Sequence, residues 1–305
     1  MRKNLLKALL AVCLIMAPLY AVAENEPALQ LSAKALTGNI YFISDSAGMG
    51  NMAACEGADG LFIIDSKAAF LSDMLAATLK QISPRPVKYL LNSHCHFDHV
   101  DGNRAFAGTA TIIAHKFTYD YMLDSQELAV LGGDPYPALT PETGLPNVTF
   151  ADVLDMYINN TRIQMVYLGP GHTGGDVVTI FTNENIIHVA DLMFNGMYPF
   201  IDINHGGSIN AMIEISEKAA ELMDDKTVVI PGHGPVSSKA EFLEWYAMLT
   251  QVRDNIAQAI ADGKSMAEVI AMQPTKEFDE KYGQGGPLTI DKFVELCYMD
   301  LIRFK

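Results

Sequence analysis

Ser93-His94-Cys95-His96-Phe97-Asp98-His99 is the stretch that decides how this chain is read. Three imidazoles and a carboxylate fall between positions 94 and 99, directly after the apolar run Val87-Lys88-Tyr89-Leu90-Leu91. Alternate side chains of an extended segment share a face, so His94 and His96 can point at one ion. Asp98 and His99 follow where the chain leaves the strand and can reach a second ion. Imidazole and carboxylate donors with no thiolate requirement suit zinc, with iron and manganese as competitors. The competing explanation is a polar surface loop that is rich in histidine by chance, and the rest of the chain weighs against it.

Outward from this stretch, a short apolar strand beside a tight loop carrying His or Asp recurs. Gly169-Pro170-Gly171-His172-Thr173-Gly174-Gly175-Asp176 leads into a strand at 177–181. Ile186-Ile187-His188-Val189-Ala190 reads as a buried strand ending at Asp191, and the strand 227–230 runs into Pro231-Gly232-His233-Gly234-Pro235. Loops at the ends of a rigid sheet are where such scaffolds build sites. Residues 29–46 read as two strands about a Gly38-Asn39 turn, and 48–52 as a flexible link that could act as a flap. A turn at 57–60 precedes the buried strand 61–65, and 68–82 has helical apolar spacing and stops before Pro84. Beyond the histidines, 111–114 reads as a strand and 118–131 as a helix. Residues 132–145 form a Gly/Pro-rich loop that could line a cleft. Residues 148–168 read as strand with a turn at Asn159-Asn160, 208–223 as a helix, and 238–305 as mostly helical. This is an α/β (α+β) pattern of sheets covered by helices.

Half of the 305 residues are hydrophobic, enough for a sizeable core. The formal net charge is -15, and removal of Arg2, Lys3 and Lys7 leaves 18 basic against 36 acidic residues. Such a surface repels phosphate backbones and carries no basic run, which argues for a small-molecule substrate and no nucleic acid. Residues 1–23 read as a secretory signal peptide, with a positive start, an apolar stretch and Ala21-Val22-Ala23 as cleavage site. The apolar run of 16 residues from Ala8 to Ala23 contains Pro18 and falls short of the ~20 that span a bilayer. The expectation is an exported, periplasmic or secreted chain with no stable membrane insertion, its residues 24–305 forming one domain with a helical extension from about 238. Cys55, Cys95 and Cys297 remain after cleavage, an odd number that makes no disulfide framework. A Cys55–Cys297 bridge stays open, and Cys95 alternates away from the ligand face.

Taken together, His94-x-His96-x-Asp98-His99, Gly171-His172, Ala190-Asp191 and Pro231-Gly232-His233-Gly234 resemble the metal-binding loops of the metallo-β-lactamase superfamily, in its order and near its spacing. The resemblance runs from about residue 31 to 235. It implies a four-layer αββα sandwich with two zinc ions at one edge. His94, His96 and His172 would hold the first metal, Asp98, His99 and His233 the second, and Asp191 would bridge. His96 stands where the superfamily's di-iron flavoproteins have an acidic residue, which favours hydrolysis. Asp191 stands where many zinc β-lactamases have cysteine, which points towards the glyoxalase II, lactonase and general hydrolase branches.

The implied chemistry is attack of metal-activated hydroxide on the carbonyl of a small-molecule amide or ester, β-lactam-like or lactone-like, with Asp98 as a catalytic residue that orients the nucleophile. A glyoxalase II-like thioesterase is the nearest alternative, and a non-catalytic metal-binding accessory protein is the alternative of another class. Further readings are weaker. Asp176 would orient a ligand histidine, Tyr198 would polarise a substrate oxygen or merely pack, and Met49, Met52, Phe194 and Met197 would wall the substrate or merely fill the core. His188 reads as a core histidine, and His115 and His205 could touch the cleft.

Overall fold

The computed structural model describes residues 29–125 and 136–303; the expected signal peptide lies outside them. Two sheets face each other. The first has strands in the order β1 (Leu31–Thr37), β2 (Ile40–Asp45), β3 (Met52–Cys55), β4 (Leu61–Ile64), β5 (Val87–Asn92), β6 (Thr111–His115) and β7 (Val148–Phe150). It is antiparallel from β1 to β4 and parallel from β4 to β7. The second runs from β8 (Val153–Ile158) through β9 (Thr161–Tyr167), β10 (Val177–Phe181), β11 (Ile186–Phe194) and β12 (Val228–His233) to the short β13 (Ser237–Ser238). Only β11 and β12 pair in parallel there.

Strand periodicity assigns the side chains to layers. In β4, Phe62 and Ile64 face the second sheet and meet Phe181, Ile163 and Ile230. Leu61 and Ile63 point the other way, onto Leu75 and Leu79 of helix α1 (Ser72–Ile82). On the second sheet, Ile187, Val189 and Val229 face outward against α4 (Ile209–Glu221), α5 (Lys239–Ala261) and α8 (Ile290–Ile302). The layers are therefore helix, sheet, sheet, helix, the αββα sandwich that the sequence resemblance implies. Trp245 of α5 is fully buried and donates from Nε1 to the Met197 carbonyl, tying the C-terminal helices to the segment that follows β11.

Several expectations change. The 48–52 link is not a loose flap: Asn51 is buried, its amide donates to the Gly232 carbonyl, and its side chain donates to those of Pro231 and Gly234. β11 does not end at Asp191 but continues to Phe194, past register shifts on either side of Ala190 and a left-handed Ala190. The helix expected at 118–131 is α3 (Lys116–Met122); residues 126–135 lie outside the described ones. In the described part of the 132–145 loop, Leu139 and Leu145 pack with Cys95 and Val100 behind the histidine stretch. Cys55 and Cys297 sit in different cores, on either side of the second sheet, and form no disulfide.

Truncating Trp245 leaves a large cavity beneath α5. Trp245→Ala is expected to cost about 3–5 kcal/mol of unfolding free energy, measured by denaturant titration; a loss below ~1 kcal/mol would mean that the C-terminal helices are not anchored there.

Candidate metal centre

All seven residues named from the sequence come together at one edge of the sandwich. β5 delivers His94 and His96, and the single helical turn α2 (Phe97–Val100) that follows carries Asp98 and His99. His172 lies on the loop before β10, Asp191 in β11 and His233 at the end of β12. Donor atoms of His94, His96, His172 and Asp191 all fall within 4.8 Å of one another, as do those of Asp98, His99 and His233. Asp191 joins the two sets: its Oδ2 lies 3.3 Å from His172 Nε2 and 3.4 Å from His233 Nε2, and its Oδ1 lies 3.1 Å from His99 Nε2.

Local backbone features make these approaches possible. The bulge at Ala190 turns Asp191 towards the cluster. It is supported by His188, whose Nδ1 accepts from the Ala190 amide and whose pKa burial lowers to about 4. His188 is thus the core histidine that the sequence suggests. A Cβ on Gly50 would collide with the His99 ring, and one on Gly232 with the Asp191 carboxylate.

The outer nitrogen of every ring is engaged, which fixes where its proton sits. His172 Nδ1 donates to the Phe200 carbonyl at 2.7 Å and His233 Nδ1 to the Gly48 carbonyl at 3.0 Å. His99 Nδ1 donates to Asp65 Oδ2 at 2.7 Å, and His96 Nε2 to Asp202 Oδ2 at 2.8 Å. Ser93 Oγ gives its own proton to Asp65, so it accepts from His94 Nδ1 at 3.1 Å. Each inner nitrogen is left with a lone pair facing inward. His96 Nδ1 consequently sits 3.1 Å from His94 Nε2 and 2.8 Å from His172 Nε2, an arrangement of acceptors that a cation between them relieves. His99 Nε2 and Asp191 Oδ1 are buried, 3.1 Å from each other and with no further hydrogen-bond partner, as groups directed at an ion would be.

The electrostatics point the same way. Burial works against charge on His96, His99 and His233, yet the surrounding carboxylates outweigh it and raise all three above the ordinary histidine value. Burial would also raise Asp191, but the imidazoles of His99, His233, His94 and His172 hold it well below the usual carboxylate range. Burial and neighbouring imidazoles lower His94, and burial takes His172 to about 4. The site therefore draws positive charge to its carboxylates while keeping His94 and His172 neutral imidazole donors. The donor chemistry, nitrogen and oxygen with no sulfur, fits zinc or a similar divalent ion.

A pocket of about 710 Å³ opens onto Asp98, Asp191, His96 and His233. Met49, Phe97, Phe194, Met197 and Phe200 give it an apolar wall, and Gly285-Gly286-Pro287, between α7 (Asp279–Tyr282) and α8, closes part of it. Met52, expected in that wall, is fully buried on the α1 side of the first sheet. Tyr198 does not face Asp191: its ring stacks on Phe293 and its hydroxyl donates to Asp279. Asp176 touches no histidine in the site; it accepts from the Thr173 amide and hydroxyl, shaping the His172 loop, and burial raises it to about 7. His115 stacks on Tyr167, and His205 reaches the cluster only through Asp202. Asp65 and Asp202 were missed as supports. Asp65 carries the same signal as Asp191, an aspartate closing an apolar strand, whereas nothing around Asp202 distinguishes it in the sequence.

Known proteins are similar to this chain. The alpha subunit of 2,4-dinitroanisole O-demethylase from Nocardioides sp. (strain JS1661) is 25% identical over 222 residues, 72% of this chain and 62% of that protein. An N-acyl homoserine lactonase from Bacillus sp is 25% identical over 171 residues, 53% of this chain and 62% of that protein. The chain spans less than two thirds of the length of either curated relative. The solved metallo-beta-lactamase from Pontibacter korlensis has the same fold, with a TM-score of 0.61 at 16% identity over 72% of this chain and 99% of that one. The family model described as the metallo-beta-lactamase superfamily matches residues 47–233, more than half of the chain and all seven cluster residues. The chain belongs to the metallo-beta-lactamase superfamily.

Proposed function

We propose that this superfamily hydrolase is an exported, dinuclear zinc enzyme acting on the carbonyl of a small-molecule amide or ester, β-lactam-like or lactone-like. The observation that carries the reading is the pair of donor sets joined by Asp191, their lone pairs directed inward beneath an open pocket. His94, His96 and His172 would hold one zinc and Asp98, His99 and His233 the other, with Asp191 between them. Iron or manganese would satisfy the same donors. Bound there, the metal supplies Lewis acidity for the carbonyl oxygen and lowers the pKa of water to about 7.

The chain's own residues do the rest. Asp98 lines the pocket and is partly exposed, so its carboxylate can accept a hydrogen bond from the attacking water and aim its lone pair at the carbonyl. Asp202 and Asp65 hold the outer protons of His96 and His99, keeping both rings in the tautomer that faces inward. The apolar wall of Met49, Phe194, Met197 and Phe200 takes the non-reacting part of the substrate and excludes bulk water.

Among the described residues, Lys34 is the one lysine or arginine lining that pocket, which favours a substrate of low charge over a multiply anionic glutathione thioester. The relative named as a lactonase supports an ester-type carbonyl. Export rests on the sequence of residues 1–23.

Purified protein lacking residues 1–23 should carry two zinc ions per chain and hydrolyse a chromogenic cephalosporin or a simple lactone, with turnover abolished by a chelator and restored by zinc. Fewer than one transition metal per chain would reject the reading, accessory-protein alternative included. Metal-loaded protein inert to β-lactams, lactones and thioesters alike would leave the accessory role standing. His96→Ala and Asp98→Ala should each reduce turnover by about 10²-fold or more with the circular dichroism spectrum unchanged; near-full activity in both would sink the two-ion mechanism. Asp65→Asn, which removes a hydrogen-bond acceptor shared by His99 and Ser93, should weaken zinc binding about 10–100-fold in chelator competition.

A further inference from the structure

Lys67 is a buried cation that the proposed hydrolysis does not use. It ends the segment Asp65-Ser66-Lys67 after β4, where Asp65 and Lys67 both take left-handed φ, 66° and 64°. Side chains with a Cβ rarely adopt that backbone, so strong local contacts must hold both residues. Lys67 and Asp45 are both 0% exposed at the side chain, with Nζ 2.7 Å from Asp45 Oδ2. The same ammonium donates to the Met49 carbonyl at 3.3 Å. Asp45 Oδ1 in turn accepts from the amides of Ala47, at 2.8 Å, and Met49, at 3.2 Å. The turn at 45–49 is thus clamped at both ends by one ion pair.

That turn carries the Gly48 carbonyl, the acceptor for His233 Nδ1. Two residues before Lys67, Asp65 accepts from His99 Nδ1. One three-residue segment therefore governs the outer contacts of both imidazoles in the Asp98, His99 and His233 set, His99 directly and His233 through Lys67, Asp45 and the Gly48 carbonyl. Among the described residues, the Lys67 ammonium bonds Asp45 and Met49 and no residue of the His94, His96 and His172 set.

We infer that Lys67, together with Asp45, is a positioning residue for the second metal set: the pair fixes the 45–49 turn so that the Gly48 carbonyl holds His233 with Nε2 towards Asp98 and Asp191. This rests on the two-ion reading of the site. Lys67→Met removes the clamp with little change of shape. Because it leaves Asp45 as an unpaired buried charge, which is itself destabilising, the companion variant is Asp45→Asn/Lys67→Met, which keeps an oxygen for the Ala47 and Met49 amides.

The test is zinc bound per folded chain after dialysis against a weak chelator, with kcat and KM measured at limiting and at excess zinc. The wild type should retain two ions. The variants should retain one, bind the second about 10–100-fold more weakly, and lose kcat far more than KM until excess zinc restores it. A wild type that retains two ions, with variants that retain two equally tight ones and lose only thermal stability of the metal-free protein, would overturn the inference alone. A wild type that binds one ion would overturn the two-ion reading, and this inference with it.

Discussion

The centre depends on one electrostatic constraint: imidazole lone pairs and the Asp191 carboxylate are forced together out of water. Nothing in the sandwich makes that arrangement favourable by itself, since like-directed acceptors repel and a buried carboxylate is costly. What fixes it is the outer shell. Phe200 and Gly48 carbonyls, Asp65, Asp202 and Ser93 each take one ring proton, and so each ring has only its inner nitrogen left to offer. The cluster is then a ready site for divalent charge, and the tautomers are set before any ion arrives.

The two sheets supply the rigidity that this demands. Cluster residues sit where strands end, or, for Asp191, where β11 bulges at Ala190 and re-aims a side chain that regular alternation would point elsewhere. Asn51 joins the first sheet to β12 by bonds to Gly232, Pro231 and Gly234, so the halves of the sandwich cannot slide without moving His233. Small local shifts would cost much, because ring-to-carboxylate distances near 3 Å leave no slack.

The C-terminal helices are part of this design. They cover the outer face of the second sheet, reach the site through Trp245 and the Met197 carbonyl, and place Gly285-Gly286-Pro287 on the pocket wall. The histidine and aspartate cluster lies wholly within residues 94–233, but the pocket above it does not. The pocket wall thus combines Phe97, Phe194, Met197 and Phe200 from that stretch with Met49 and Gly285-Gly286-Pro287 from outside it.

Much was legible in the sequence. The continuous apolar runs of β4, β5 and β11 announce strands buried on both faces, and His94, His96, Asp98, His99, His172, Asp191 and His233 announce themselves because each lies beside or within a short apolar strand, His172 and His233 in Gly-rich loops. Local chemistry fixes those features, since strand period and loop geometry act over a few residues. What the sequence leaves open is decided by distant segments. Tyr198 and Met52 have the composition of pocket residues, and only packing against Phe293 and against α1 removes them. Asp202 lies 106 positions from the histidine it orients, and Lys67 meets Asp45 across 22. No periodicity encodes such pairings. They exist because the tertiary fold buries those groups side by side, where a charge or a polar hydrogen must find a partner.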